Sequence, residues 1–160
     1  MVRGVYVRRA RLEDLEVLVR HRRAMWNDLG TFSKLALDQS DRAYSRWLRQ
    51  RIGARRIVAF IASDSQKSPL GSLTVWLHDV EPSPDESRTL RPLLSTLYTE
   101  PDSRKRGVAT ALVRAATRWS RSAGYGYVTG IAAHTSRHLL RRLGYQRLWE
   151  MGKTFGREPT

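Results

Sequence analysis

Leu93-Leu94-Ser95-Thr96-Leu97-Tyr98-Thr99-Glu100-Pro101-Asp102-Ser103-Arg104-Lys105-Arg106-Gly107-Val108-Ala109-Thr110-Ala111-Leu112-Val113 is the stretch whose reading decides the fold. An apolar strand pattern ends at Glu100-Pro101, a tight basic loop runs from Arg104 to Ala109, and an amphipathic helix starts at once. A strand that feeds a glycine-bearing turn into a helix N-terminus makes an anion site. The first N–H groups of the helix have no partner inside it, and the helix dipole adds partial positive charge. Gly107 lets the backbone approach a phosphate that a Cβ would hold off. Arg104, Lys105 and Arg106 flank the site with cations, and the ligand expected there is a pyrophosphate.

Working outward, the helix is expected over Gly107–Ala123, with Val108, Leu112, Ala116 and Trp119 on its buried stripe. The strand feeding it spans Leu90–Thr99, and Pro92 lies near its start, where proline is tolerated. Gly71–Val80 alternates, with Leu73, Val75 and Leu77 on one side and Thr74, Trp76 and His78 on the other. Ile57–Ala62 is a continuous apolar run, hence a buried strand. Toward the N-terminus the pattern predicts a strand at Val5–Arg9 and a helix over Arg11–Asp28. After a loop, a second helix runs from about Ser40 or Asp41 to Ile52. Downstream it predicts a strand at Tyr127–Ala132 and a short helix at Ser136–Leu143 stopped by Gly144. A last strand at Tyr145–Thr154 and a polar tail at Phe155–Thr160 follow. Trp47, Trp119 and Trp149 are expected in the core. The order β, α, α, β, β, β, α, β, α, β gives a mixed α/β sheet. The proline-bearing loop after Val80 is short and flanked by strand patterns, so residues 1–160 read as a single domain.

A chain of 160 residues with 41% apolar content has enough material for a folded core. No apolar run approaches membrane-spanning length, and the N-terminus lacks the apolar stretch of a secretory leader. A cytoplasmic protein without a membrane partner is therefore expected. The absence of cysteine excludes thiolate catalysis, disulfides and cysteine-based metal sites. His21, His78, His134 and His138 show no ligand spacing, and no metal is expected. The net charge of +14 comes mostly from arginine. It admits a polyanionic partner such as RNA, or an arginine-biased surface partly neutralised by a polyphosphate cofactor. The cations recur along the chain rather than in one block, which favours the second reading. No recognition-helix, RNP or zinc signature points to a nucleic-acid module without a cofactor.

This order, with its strand, basic loop and helix, resembles the GNAT superfamily of N-acetyltransferases. Arg104, Gly107 and Ala109 fill the family's phosphate-loop pattern Arg/Gln-x-x-Gly-x-Gly/Ala. Leu143-Gly144-Tyr145 stands where the family has Leu-Gly-Phe. Tyr98-Thr99-Glu100-Pro101, and the run from His21 through Met25, Trp26 and Asp28 to Gly30, look like a subgroup of small bacterial and archaeal acetyltransferases.

The resemblance implies a mixed, mostly antiparallel sheet, splayed at its centre and flanked by about four helices. It implies acetyl-CoA as cofactor. The backbone of Leu97, Tyr98 and Thr99 would pair with the pantetheine arm. The N–H groups of Lys105, Arg106, Gly107, Val108, Ala109 and Thr110 would hold the pyrophosphate, with Arg104 reaching a phosphate oxygen. A backbone N–H near Leu97 would polarise the thioester carbonyl. Two positions depart from the family pattern. The usual acid tyrosine corresponds to Leu140, and the Asn or Ser that contacts pantetheine corresponds to Ala133. The candidates for proton transfer are Glu100, His78 beside Asp79, and His134, with His138 close in sequence. Met25, Trp26, Asp28 and Phe32 are candidates for the acceptor pocket, between the first two helices and the last strands. Asp28 would attract a cationic amine. Core packing is the other reading of Met25 and Trp26.

The function implied is an acetyl-CoA-dependent N-acetyltransferase acting on a primary amine of a small molecule or a protein, by direct attack in a ternary complex. Two alternatives stay open: an RNA-borne amine such as aminoacyl-tRNA, motivated by the charge, and a catalytically silent acyl-CoA sensor, motivated by Leu140 and Ala133. Small members of the family pair through their C-terminal strands, so a homodimer is a further expectation.

Overall fold

Ile57–Ser63 is buried along its whole length, because both of its faces are covered. The computed structural model describes residues 4–84 and 87–148. In it this run is β2, the second strand of a five-stranded sheet. The elements in chain order are β1 (Tyr6–Arg9), α1 (Leu15–Leu29), α2 (Lys34–Gly53), β2 (Ile57–Ser63), β3 (Pro69–Asp79), β4 (Leu90–Thr99), α3 (Val108–Ser122), β5 (Thr129–Gly130) and α4 (Arg137–Arg142). The strand order is β1-β2-β3-β4-β5. β1 to β4 pair antiparallel in sequence, and β5 joins β4 parallel. The expected mixed, mostly antiparallel sheet with four helices among the described residues is therefore observed.

Two cores lie on the two faces of the sheet. Val58, Phe60, Ala62, Leu73, Val75 and Leu94 pack with Val108, Leu112, Val113 and Ala116 of α3. Ile57, Ala59 and Ile61 pack with Leu15 and Leu18 of α1 and Leu48 of α2. The alternation along β2 assigns each residue to its face. Burying one such side chain contributes roughly 1.5–3 kcal/mol.

Two irregularities shape the centre. Ser72 pairs with Tyr98 and Thr74 with Ser95, so Thr96 and Leu97 of β4 both stand opposite Leu73. This is a β-bulge, and Thr96 adopts a φ of 50° within it. β5 pairs only with Leu93 and Leu94. Beyond the Ile131 N–H bond to the Leu94 carbonyl (3.2 Å), no described strand covers that edge of β4. The sheet is thus splayed from Ser95 to Thr99.

Three boundaries differ from the sequence expectation. α2 begins at Lys34, because the Ser33 side chain accepts from the Ala36 N–H (3.2 Å) and caps the helix ahead of buried Leu37. β5 is two residues long rather than spanning Tyr127–Ala132. Residues 145–148 are not in a strand, and the rest of the expected last strand, Trp149 and the tail lie outside the described residues. The strands on which pairing of copies is expected lie there too. No helix among the described residues is long and apolar enough to cross a membrane.

Candidate functional site

The loop after β4 closes on itself and then opens into α3. The Ser103 N–H donates to the Glu100 carbonyl (2.9 Å) and the Arg104 N–H to the Pro101 carbonyl (3.2 Å). Lys105 and Gly107 then take left-handed conformations, at φ 58° and 80°. Glycine adopts this geometry without a Cβ penalty, so Gly107 suits the N-cap of α3. The N–H groups of Val108, Ala109 and Thr110 begin the helix without intrahelical acceptors. Thr99 Oγ1 is buried with no hydrogen-bond partner among the described residues, where the open edge meets the loop.

Arg104 braces this corner. Its Nε donates to the Thr99 carbonyl (3.1 Å) and its Nη2 to Asp28 Oδ2 at the end of α1 (2.5 Å). The loop cation is thereby joined to Asp28, a residue expected to meet an amine. Lys105 and Arg106 make no ion pair among the described residues, and they carry the loop's remaining positive charge.

On the opposite face, α1 and α2 leave a cleft of about 500 Å³ over the bulge. Arg22, Tyr44, Trp47, Thr74, Ser95 and Thr96 line it, with Ser40 at its side. Thr74 Oγ1 donates to the Ser95 carbonyl (3.0 Å) and meets Ser95 Oγ (2.9 Å). Tyr44 stacks on Trp47 with centroids 5.8 Å apart, and its hydroxyl is buried without a hydrogen-bond partner among the described residues. Burial raises the pKa of that phenol, so it keeps its proton at neutral pH. Trp47, expected in the core from the sequence, stands on α2 three residues after Tyr44. The structure leaves both half-buried, at the wall of the cleft.

A polar cluster lies beneath α1. His21 is completely buried, with Nδ1 2.9 Å from Ser72 Oγ and Nε2 3.1 Å from Glu100 Oε1. Arg20 Nη1 donates to the same carboxylate oxygen (2.9 Å) and the Tyr98 hydroxyl to the other (3.3 Å). Nε2 thus lies between a carboxylate that only accepts and Arg20 Nη2, 3.2 Å away, that only donates, while Nδ1 faces a hydroxyl that can do either. Burial, and then the positive charge of Arg20, pull the imidazole pKa down to about 4. Glu100 opposes both without overcoming them.

The other candidates are spread out. His78 stands on β3 four residues past Thr74, about 13 Å along the strand, and packs on Trp76 at 5.7 Å. His134 and His138 are exposed. Leu140 is 9% exposed and belongs to the core beside α3. Met25 is half-buried on α1, and Trp26 meets Phe32 edge-on at 5.8 Å. The four expected pocket residues Met25, Trp26, Asp28 and Phe32 lie along the end of α1 and the turn after it, outside the cleft lining. No cluster among the described residues could hold a metal ion.

Comparison with known proteins gives one consistent result. A model of the acetyltransferase (GNAT) family matches residues 22–145. No curated protein matches. Among solved structures, a GCN5-related N-acetyltransferase from Ralstonia eutropha JMP134 is 25% identical, with a TM-score of 0.85 over 95% of this chain and 99% of that one. A predicted acetyltransferase from Clostridium acetobutylicum, solved with acetyl-CoA, is 19% identical, with a TM-score of 0.83 over 94% of this chain and 96% of that one. An aminoglycoside N-acetyltransferase in complex with CoA is 18% identical, with a TM-score of 0.71 over 96% of this chain and 94% of that one. The last two show likeness of fold.

Proposed function

Because the chain belongs to the acetyltransferase (GNAT) family, we propose that it transfers the acetyl group of acetyl-CoA to a primary amine, by direct attack within a ternary complex. Acetyl-CoA-dependent acetyl transfer is the chemistry of that family. The observation that carries the finer reading is the bulge at Thr96 and Leu97, set where the sheet splays and a cleft opens on the other face.

The residues present fit the cofactor. An extended polar arm needs unpaired backbone groups, and β4 offers an uncovered edge from Ser95 to Thr99 ending at the unpartnered Thr99 hydroxyl. A pyrophosphate needs N–H donors and positive charge, and the start of α3 with Lys105 and Arg106 offers both. In this reading Leu97, Tyr98 and Thr99 hold the arm. Lys105, Arg106, Gly107, Val108, Ala109 and Thr110 hold the phosphates. Arg104 keeps the loop and the strand end in register.

When bound, acetyl-CoA supplies an acyl carbon that forms a C–N bond with the amine as its C–S bond breaks and the thiol leaves. The protein's part is positioning and polarisation. The bulge takes Thr96 and Leu97 out of one-to-one pairing with β3, and in this reading a fixed backbone donor near Leu97 would stabilise charge developing on a carbonyl oxygen. Leu140 has no proton to give, and Tyr44 is the protonated phenol beside the bulge. Glu100 serves the buried cluster, and holding the amine in the cleft beside the bulge provides the proximity term.

Calorimetry with acetyl-CoA tests the reading. The wild type is expected to bind, and Gly107→Glu, which sets a carboxylate at the phosphate site, is expected to lose binding while staying folded. CoA release is then followed with a panel of primary amines. Absence of acetyl-CoA binding by the wild type would sink the proposal.

A further inference from the structure

Arg22 sits in the cleft without an ion-pair contact among the described residues. Its guanidinium is half-buried and lines the cavity over the bulge. Its hydrogen bond among the described residues is a single one, from Nη1 to Ser40 Oγ (2.9 Å). The Tyr44 ring lies 4.3 Å from its Cζ and the Trp26 ring 5.5 Å. Asp41 acts on Arg22 through space, yet it binds the neighbouring Arg23 at 2.6 Å, and Asp38 binds Arg23 at 2.7 Å. Asp38 and the Oδ2 of Asp41 are thus taken by Arg23, the buried Asp41 Oδ1 has no hydrogen-bond partner among the described residues, and Arg22 keeps most of its donor fork unused.

A half-buried guanidinium without an ion pair costs desolvation free energy. The usual reason to keep one facing a cavity is an anionic ligand that completes its hydrogen bonds. The remaining lining chemistry agrees. Among the described residues no carboxylate lines the cleft, whereas a pocket for a polycation needs them. Asp28, the acidic residue nearest the end of α1, is tied to Arg104. The planar fork of one arginine matches a carboxylate in two parallel bonds. Tyr44 lines the cleft together with Thr96 of the bulge, carries Arg22 over its face, and its buried hydroxyl has no hydrogen-bond partner among the described residues. Trp47, stacked on Tyr44, adds an apolar wall.

We propose that Arg22 receives a carboxylate of the acceptor, so that the amines this acetyltransferase takes are amino acids. The inference rests on reading the cleft as the acceptor site of the activity proposed above. An amino acid would enter with its carboxylate on Arg22, its hydrocarbon body along Tyr44 and Trp47, and its amine toward Thr74, Ser95 and the bulge.

The test compares each of the common amino acids with its own carboxamide in a CoA-release assay on the wild-type protein. No variant is needed for this arm. The expected result is turnover of one or more amino acids, with the matching amide slower by roughly 10- to 100-fold in kcat/KM, the range of a charged hydrogen-bond pair. Arg22→Ala is expected to raise KM for the same amino acid by a similar factor, and Arg22→Lys to fall between them. Acetyl-CoA binding should persist in both variants, which checks that they fold. Faster turnover of amides, of phosphate-bearing amines or of polyamines would overturn the carboxylate assignment and leave the acetyltransferase reading standing. So would acetyl-CoA binding with no amino acid turned over. Failure of the wild type to bind acetyl-CoA would overturn both.

Discussion

Acidification from pH 7 to pH 4 is expected to remove about 3 kcal/mol of stability through His21 alone. The ring is 0% exposed, and its folded pKa lies near 4 against an ordinary 6.5. Between those values the unfolded chain takes up a proton that the folded chain refuses. The unfolded state therefore gains as the pH falls. The contribution is complete above the unfolded value and is lost on the way down to the folded one. A gap of about 2.5 pH units at roughly 1.4 kcal/mol each gives about 3 kcal/mol. Urea unfolding followed by tryptophan fluorescence, at half-unit steps from pH 4 to 7.5, measures it. His21→Gln provides the control, because an amide can still face Ser72 and Glu100 and does not titrate. Surface carboxylates such as Asp14 titrate in both proteins and cancel in the difference. The stability of the wild type minus that of the variant should fall by about 3 kcal/mol over the range. A difference that stays flat within about 0.5 kcal/mol would refute the picture of an imidazole held neutral by burial and by Arg20.

Two substitutions probe the frame around the site. Gly71→Ala would put a Cβ 2.5 Å from the Tyr98 carbonyl oxygen and 3.2 Å from Val108 Cγ1. Backbone on one side and the start of α3 on the other leave little room, so thermal unfolding should show a loss of about 1–3 kcal/mol. Calorimetry should also show weaker acetyl-CoA binding, because the end of β4 must shift. An alanine variant as stable as wild type, with unchanged binding, would mean that the strand end gives way freely. Leu112→Ala removes a side chain that is 0% exposed, in the centre of the α3 core. Urea unfolding should report a loss of about 2–5 kcal/mol, and a loss below about 1 kcal/mol would contradict close packing there.

The parts of the molecule that were legible in the sequence are those written contiguously. The strand, loop and helix from Leu93 to Val113 needed only local rules: an apolar run, a glycine with positive φ and a 3.6-residue stripe. The buried cluster joins His21 to Glu100 across 79 positions, which no local rule spans. Its one local signal was a polar residue three positions after Leu18, on the buried stripe of α1. The early start of α2 had a signal too, in Ser33 ahead of Leu37, but the apolar stripe from Tyr44 onward outweighed it. Tyr44 and Trp47 carry no local mark of the cleft they line, because stripe residues look alike in sequence whether a sheet or a cavity lies opposite. Arg22 has no local mark in the sequence, and the pairing of its neighbour Arg23 with Asp38 and Asp41 is what sets it apart.

The bulge explains why cofactor edge, cleft and buried cluster meet on one strand. In an unbroken strand, side chains alternate, and Leu94 facing α3 would send Thr96 and Tyr98 to the same side. Instead Ser95 and Thr96 both line the cleft, Leu97 joins the α3 core, and Tyr98 turns to the α1 face. Every residue after the extra one changes face. Tyr98 can then pack against His21 at 5.2 Å, and its hydroxyl can reach Glu100. The cost is one non-glycine residue at φ 50°, on the order of 1–3 kcal/mol. That strain persists because the neighbouring contacts over-determine it. Gly71 packs against the strand after the bulge, Thr74 binds Ser95 before it, and His21 holds Ser72 opposite Tyr98. A fixed bulge keeps the backbone at Thr96 and Leu97 from reorganising, which is the condition under which a backbone donor there would stabilise developing charge. The buried cluster thus ties α1 to both sides of the bulge, His21 meeting Ser72 on β3 and Glu100 at the end of β4, and so holds the register of β4.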